Sequence, residues 1–359
     1  MQPMESRPEG TLLRALAQVA PGSPLRVGLD RILLSGRGAL IVIGDGADVL
    51  NICSGGFLLD AAFTPQRLSE LAKMDGAIIL ASDASRIARA NVHLVPNPNV
   101  QTSETGTRHR TAERVARSLH IPTVAVSESR KEIQVYLGDH MHPLSSPSRL
   151  LERSNQAIQT LERYRARLDA VSQNLSALEV EDLVTLRDVV EVLQRTEMVV
   201  RISAEIERNL VELGSDGRLV RLQMEELMVG VDDDRQLLIM DYVKQDERFD
   251  IGEAMNALSN LDDEALFDDL VLAEVLRLGG PGSDLDVNVE PRGYRLLSKL
   301  PRVNDSVVSS VIDRFGTLSR VLRATTNELE AVDGVGPRWA QALKEGAGRL
   351  AESSILDRI

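Results

Sequence analysis

The chain has 359 residues, of which 43% are hydrophobic and only 3% aromatic, and its net charge is −13. That length points to two or three domains, with cores that must rest on Leu, Val, Ile and Ala. The single cysteine, Cys53, excludes an internal disulfide and a cysteine-based zinc site, fits a reducing compartment, and reads as a small buried filler rather than a nucleophile. At the start of the chain no basic segment leads into an apolar run, so no signal peptide is expected. No run of about 18 uncharged apolar residues follows anywhere, so no membrane span is expected, and the cytoplasm is the expected location. Leu12, Leu13, Leu16 and Val19 have helical spacing, ended by Pro21-Gly22, and a second helix is expected over Leu25–Leu34. Short β-rich runs come next: Ala39–Ile43, Ala77–Leu80, His93–Val95, Thr123–Val126 and Ile133–Leu137. Helical or loop segments lie between them, Thr64–Met74 among these. Gly44-Asp45-Gly46 reads as a hairpin turn, so the sheet should be mixed rather than purely parallel. Residues 1–147 are therefore expected to form an α/β domain with a mixed sheet flanked by helices.

Pro143 and Pro147 with Ser145, Ser146 and Ser148 read as a linker. An all-α spine is expected over 148–290. Leu161, Leu168, Leu175 and Leu178 mark a long amphipathic helix, and Leu183–Leu213 continues in kind up to Gly214-Ser215-Asp216-Gly217. Leu219–Val229 and Gln236–Val243 follow. The spine reads as a scaffold, and the acidic stretch 246–290 as a solvated connector. Residues 291–359 are expected to be all-α and differ in charge. They carry eleven Lys and Arg against eight Asp and Glu, a net of +3, which leaves −16 on residues 1–290. A basic tail on an acidic protein is a specific asymmetry.

Three motifs carry chemistry. Gly106-Thr107-Arg108-His109-Arg110-Thr111-Ala112 precedes Val115, Ala116 and Leu119 at helical spacing, so a basic cluster opens a helix. Unpaired N–H groups and the helix dipole favour an anion there, and arginine donates two parallel bonds to phosphate. A solvated basic cap fits the pattern equally well. Asp75-Gly76-Ala77 sits at a turn before a buried strand. It is an ordinary Asp-Gly turn, or a carboxylate at a strand edge able to hold Mg²⁺ or Mn²⁺ beside nucleotide phosphates. Neither a Walker loop nor a dinucleotide glycine fingerprint is present. In the tail, Val332-Asp333-Gly334-Val335-Gly336-Pro337-Arg338 lies between helical runs Thr326–Ala331 and Arg338–Arg349. This resembles a helix-hairpin-helix motif. Its glycines let the backbone approach DNA, and the next helix offers N–H groups beside Arg338 and Lys344 to a phosphate without reading bases. Leu300-Pro301-Arg302-Val303-Asn304, with Val307, Val308, Val311 and Ile312, resembles a degenerate first copy in which Arg302 and Asn304 replace the glycines.

Asp-Gly-Ala followed about 30 residues later by Gly-Thr-Arg-His-Arg-Thr-Ala resembles the diadenylate cyclase domain. The three-part chain resembles the DNA-integrity-scanning diadenylate cyclases of bacteria over its whole length. The resemblance implies condensation of two ATP molecules into cyclic di-AMP and two pyrophosphates. It implies that Asp75 binds Mg²⁺ or Mn²⁺ and helps activate the ribose 3′-hydroxyl, and that Gly76 and Ala77 lie close to the nucleotide. Arg108, His109 and Arg110 would engage the triphosphate, with Gly106, Thr107 and Thr111 beside them. Leu94 would pack near the adenine, Ser127 and Arg130 would contact phosphate, and Ser54-Gly55-Gly56 would line the pocket or form a turn. Gly334, Val335, Gly336, Arg338 and Lys344 would bind branched DNA, which lowers cyclase activity in that family. The family's homo-octamer, without membrane attachment and associated with the nucleoid, is the expected assembly. Alternatives are a non-catalytic oligomer that binds branched DNA, or a nucleotidyltransferase joining other substrates.

Overall fold

A computed structural model of the chain describes residues 8–243, 250–279 and 283–356. By internal contact the chain divides into two compact units. One holds the residues up to Gln156 together with Glu205–Leu222, and the other Ala157–Ala204 with the residues from Gln223 onward. The helices of 148–290 are thus shared between the units. Of the acidic stretch 246–290, residues 246–249 and 280–282 lie outside the described residues, as do Asp357 and Arg358 of the basic tail.

The N-terminal elements run α1 (Pro8–Gln18), α2 (Pro24–Leu34), β1 (Ala39–Ile43), α3 (Ala47–Asn51), β2 (Cys53–Ser54), β3 (Phe57–Ala62), α4 (Pro65–Leu71), β4 (Ala77–Leu80), β5 (Arg86–Leu94), α5 (Thr107–Leu119), β6 (Thr123–Ser127), β7 (Glu132–Leu137) and β8 (His140–Pro143). The strands form one sheet in the order β2-β5-β4-β1-β6-β7-β8, with β3 also paired to β5. β1 and β4 are parallel, and every other pairing is antiparallel. The sheet is mixed, as expected.

Both faces of the central strands are covered, which is why β1 reads as an unbroken apolar run rather than an alternating one. Ile41, Ile43, Ile78, Leu80, Val124 and Val126 pack with Leu16, Leu25, Leu29 and Leu68 of α1, α2 and α4. Leu40, Val42, Ala77, Ile79 and Ala125 pack on the other face with Ala112, Val115 and Ala116 of α5. Each fully buried aliphatic side chain stabilises the fold by about 1.5–3 kcal/mol relative to exposure. The helices start where local chemistry directs. Ser23 and Thr64 accept the N–H groups of Arg26 and Arg67, and Pro24 and Pro65 open the helices they cap.

Gly44-Asp45-Gly46 does not turn a hairpin. Both edges of β1 are already taken, by β4 and β6, so the chain leaves the sheet there and Gly46 caps α3. The strand expected at His93–Val95 is the end of a longer one, Arg86–Leu94, whose pairing with β4 is broken by register shifts. The short β2, the largely exposed β3 and the hairpin strand β8 are not among the expected strands: β2 and β8 carry little apolar pattern, and the apolar run of β3 lacks alternation.

The rest of the described chain is helical: α6 (Pro147–Glu181), α7 (Leu186–Leu213), a 3-10 turn at Gly214–Gly217, α8 (Arg218–Met228), α9 (Val231–Tyr242), α10 (Ile251–Asn260), α11 (Asp263–Leu266), α12 (Asp269–Val275), α13 (Tyr294–Leu297), α14 (Asp305–Phe315), α15 (Leu318–Arg323), α16 (Thr326–Glu330) and α17 (Pro337–Leu356). The acidic stretch is not merely a solvated connector. Leu258, Leu266, Leu272 and Leu276 are buried, and Asp250, Asp262 and Asp268 cap α10, α11 and α12 by accepting N–H bonds. Its acidity reflects short helices that each need a carboxylate at the start. The basic tail builds a core from Leu296, Leu297, Val308, Val311, Ile312, Leu318, Leu329, Val335, Ala340 and Leu343, against which Val180 of α6 and Leu237 and Met240 of α9 also pack.

Candidate functional site

The N-terminal ends of β1 and β4, the C-terminal ends of β5 and β6, and the start of α5 meet at one end of the sheet. Two adjoining cavities open there. One, of about 370 Å³, is lined by Leu40, Asp75, Gly76, Ala77, Asn91, Val92, His93, Leu94, Thr107, Arg108 and Thr111. The other, of about 750 Å³, is lined by Asp75, Gly106, Thr107, Arg108, His109, Val126, Ser127, Glu128 and Ser129. Asp75, Thr107 and Arg108 belong to both. The first is floored by strand residues, among them buried Leu40, Ala77, Val92 and Leu94, and suits a flat apolar ring. The second is polar and lies at a helix start, which suits an anion.

Asp75 projects almost wholly into solvent, with 97% of its side chain exposed, and its Oδ1 lies 3.4 Å from Nη2 of Arg108. This ion pair sits where the two cavities meet. Gly76 has φ +119, and a Cβ there would come within 2.8 Å of the Asn91 backbone. Glycine is thus required for β4 and β5 to close beside the carboxylate. Gly106 caps α5 with no side-chain acceptor for the first-turn N–H groups. Thr111 and Arg108 share the face of the first turn that borders the smaller cavity, and the Thr111 hydroxyl donates to the Thr107 carbonyl at 2.9 Å.

His109 is 6% exposed and lies edge-on to Tyr136, 6.4 Å between ring centroids. Burial, aided by Arg130, holds its pKa below the usual imidazole value, and its Nε2 has no hydrogen-bond partner. Behind it, the Tyr136 hydroxyl stands 2.8 Å from Glu104 and 2.7 Å from Gln134. Arg130 donates to Glu104 at 3.2 Å, and its backbone N–H donates to the Ser127 hydroxyl at 3.2 Å. Buried Glu113 accepts from the Ser103 N–H, the Ser103 hydroxyl and the Glu104 N–H, which holds the loop before α5 in place.

The structure therefore brings Asp75, Gly76, Ala77, Leu94, Gly106, Thr107, Arg108, His109, Thr111 and Ser127 together. It sets Arg130 one step behind them, paired to Glu104. It leaves Arg110 exposed and lining neither cavity, because two residues along a helix point to different faces. Ser54 ends β2, paired with His93, and Gly55-Gly56, at φ +65 and +77, turn the chain into β3. Leu40, Asn91, Val92 and His93 join the site unannounced, since only strand pairing places them there, and Glu128 and Ser129 line it from the turn that follows Ser127. Among the described residues no group of three or more His, Cys, Asp or Glu could hold a metal. A divalent cation would have Asp75 as its protein ligand and take the rest from phosphate and water, an arrangement Mg²⁺ accepts.

In the tail, Gly334 has φ +81 and Arg338 is exposed at the start of α17. Lys344 is turned inward, where its ammonium donates to the carbonyls of Leu322 at 3.3 Å and Ala324 at 2.7 Å and closes the end of α15. In the degenerate copy, Arg302 takes the left-handed conformation at φ +70 that Gly334 has in the other hairpin. Asn304 caps α14 by accepting the Val307 N–H at 3.0 Å, so one of the N–H groups that a phosphate would use is already paired.

Residues 26–141 match the model described as the DisA bacterial checkpoint controller nucleotide-binding domain, and residues 144–285 match its linker region. The DNA integrity scanning protein DisA of Frankia alni is 51% identical over 357 residues, 99% of each chain. The protein of that name from Streptomyces coelicolor is 46% identical over 353 residues, 98% of this chain and 94% of the relative. The chain belongs to the DisA family. The family's nucleotide-binding match contains every residue of both cavities, and its linker match begins just before α6 and ends after α12. Among the described residues of this DisA-family chain no helix is long and apolar enough to cross a membrane.

Proposed function

We propose that the protein is a diadenylate cyclase that condenses two ATP into cyclic di-AMP and two pyrophosphates and is inhibited by branched DNA bound to its C-terminal module. The observation that carries this reading is the meeting of Asp75 with Arg108 at the start of α5, between a cavity suited to a base and one suited to phosphates. Adenine would lie over Leu94, with the triphosphate along Gly106, Thr107, Arg108 and Ser127. Mg²⁺ or Mn²⁺ held by Asp75 would lower the pKa of the 3′-hydroxyl and neutralise charge at the α-phosphate. Arg108 then stabilises the charge that develops on the phosphoryl oxygens. Each 3′-hydroxyl gives up its proton to water as its oxygen bonds to the other nucleotide's α-phosphorus, the bond from that phosphorus to the α,β-bridging oxygen breaks, and pyrophosphate leaves with that oxygen.

The product has two-fold symmetry, so two such sites must face each other across a two-fold axis. Arg110, exposed and lining neither cavity of its own subunit, would act on the nucleotide of the facing subunit. A homo-octamer is the assembly we propose, cytoplasmic and associated with the nucleoid. Gly334, Gly336 and Arg338 form the phosphate grip on DNA, while Val335, buried in the tail core with its N–H paired to the Val332 carbonyl, anchors the hairpin, and Lys344 ties α17 to the end of α15 instead of reaching DNA.

The test is mass spectrometry of the protein incubated with ATP and Mg²⁺ or Mn²⁺. Cyclic di-AMP should form, and Asp75→Asn should abolish it while leaving binding to a four-way DNA junction unchanged. No product from the wild type would overturn this reading and leave the non-catalytic DNA-binding oligomer or a nucleotidyltransferase that joins other substrates. Product from Asp75→Asn would remove Asp75 from the mechanism.

A further inference from the structure

Gly38 lies in the short turn between α2 and β1, and no motif of the chain includes it. Ala39, the next residue, pairs with Val126 at the end of β6 that borders the larger cavity. A Cβ on Gly38 would sit 2.5 Å from Nη1 of Arg108, 3.1 Å from its Cζ and 3.1 Å from the Val126 carbonyl oxygen. The Arg108 guanidinium therefore rests in the space that a missing side chain leaves open. Gly38 does not have a positive φ, unlike Gly36 before it, so the backbone would accept any residue. What opposes a side chain is mainly the arginine, with the Val126 carbonyl oxygen a milder contact. The other end of the same guanidinium is fixed by Asp75, at 3.4 Å from Nη2. One guanidinium is thus held at two edges, by a cradle on the β1 side and by the carboxylate on the β4 side.

We infer that Gly38 is a positioning residue for nucleotide binding, setting the place of the Arg108 guanidinium between the two cavities, an inference that rests on the cyclase reading of this site. A methyl group there does not break the backbone. The clash falls mainly on the far end of a flexible side chain, so Arg108 would move away while the fold stays intact. Charge-assisted arginine–phosphate bonds depend on geometry as well as charge. A displaced guanidinium then loses contact with the triphosphate although every residue of the motif is still present.

The test is a double-mutant cycle on the full-length protein, read as ATP affinity in Mg²⁺ by calorimetry, with thermal melting alongside. Gly38→Ala should weaken ATP binding by about tenfold or more, and leave the melting temperature of the nucleotide domain unchanged or slightly higher. In an Arg108→Ala background the same change should cost less than about twofold, because the group it displaces is gone. Gly46→Ala, where a Cβ meets nothing within 4 Å, is the control and should bind ATP like the wild type. Undiminished affinity in Gly38→Ala would overturn the inference. So would an equal loss in the Arg108→Ala background, or a loss that tracks a fall in melting temperature. A wild type that binds no ATP would instead overturn the cyclase reading, and this inference with it.

Discussion

Gly76 shows how narrowly single residues define the site. Its φ of +119 and the Asn91 backbone 2.8 Å from its would-be Cβ oppose any side chain on two independent grounds. Gly76→Ala should destabilise the nucleotide domain by about 1–3 kcal/mol, visible as a lower melting temperature, and should weaken ATP binding by shifting Asp75. An unchanged melting curve would show that β4 and β5 yield more easily than their packing suggests. Much of the site at this scale was legible in the sequence. Asp75, Gly76, Gly106, Thr107, Arg108 and Thr111 sit in two contiguous motifs whose chemistry is local. Gly38 and Asn91 were not, because each matters only through a neighbour brought close by the sheet. Arg110 and Lys344 show the opposite limit. Both were read from charge, yet helix phase turns one away from the cavities and carbonyl groups draw the other inward.

At the scale of elements, α9 and α13 are joined by one buried carboxylate. Asp241, 2% exposed, accepts the N–H groups of Gly293, Tyr294 and Arg295 at 2.7, 2.6 and 2.9 Å. Beside it, Arg295 forms a buried ion pair with Glu179 of α6 at 2.6 Å, and Tyr242 donates to Glu179 at 2.7 Å. Burial, with Glu179 close by, pushes the Asp241 carboxyl from an ordinary 3.8 up to about 7. Between those two values the folded chain holds the proton and the unfolded chain has released it. The contribution to stability is therefore fully present below about pH 4 and is lost as pH rises through about 7, by up to about 4 kcal/mol. Trp339, the only tryptophan, lies against the core of this unit and reports on it. The urea midpoint followed by its fluorescence should fall from pH 5 to pH 8, and Asp241→Asn should flatten that fall. A midpoint that rises over this window, or an unchanged slope in Asp241→Asn, would contradict the account.

The elements also show why some of the fold was hidden. Strands with both faces covered, such as β1 and β4, announce themselves as apolar runs. β3 is an apolar run, Phe57-Leu58-Leu59-Asp60-Ala61-Ala62, that exposes Phe57 and Leu58 and pairs only with β5, so it lacks the alternation of a half-exposed strand. The acidic helices α10 to α12 were obscured by the carboxylates that start them.

On the scale of the whole molecule, the chain carries two chemistries in separate parts. Residues 26–141 hold the nucleotide site, and the +3 tail holds a glycine hairpin opening onto exposed Arg338. The sequence leads one to expect such a division because composition, charge and helical period all change along the chain. The contact-defined units were not legible, because no local pattern says that Glu205–Leu222 joins the nucleotide domain. Our central claim is that the two parts are coupled, with DNA at the tail setting the output of paired cyclase sites. The most direct measurement is cyclic di-AMP formed from ATP and Mg²⁺ or Mn²⁺, with and without a four-way DNA junction. The account predicts steady synthesis by the protein alone and a clear fall when the junction is added, with little fall for linear duplex of the same length. Synthesis that is absent, or that the junction leaves untouched, would contradict it.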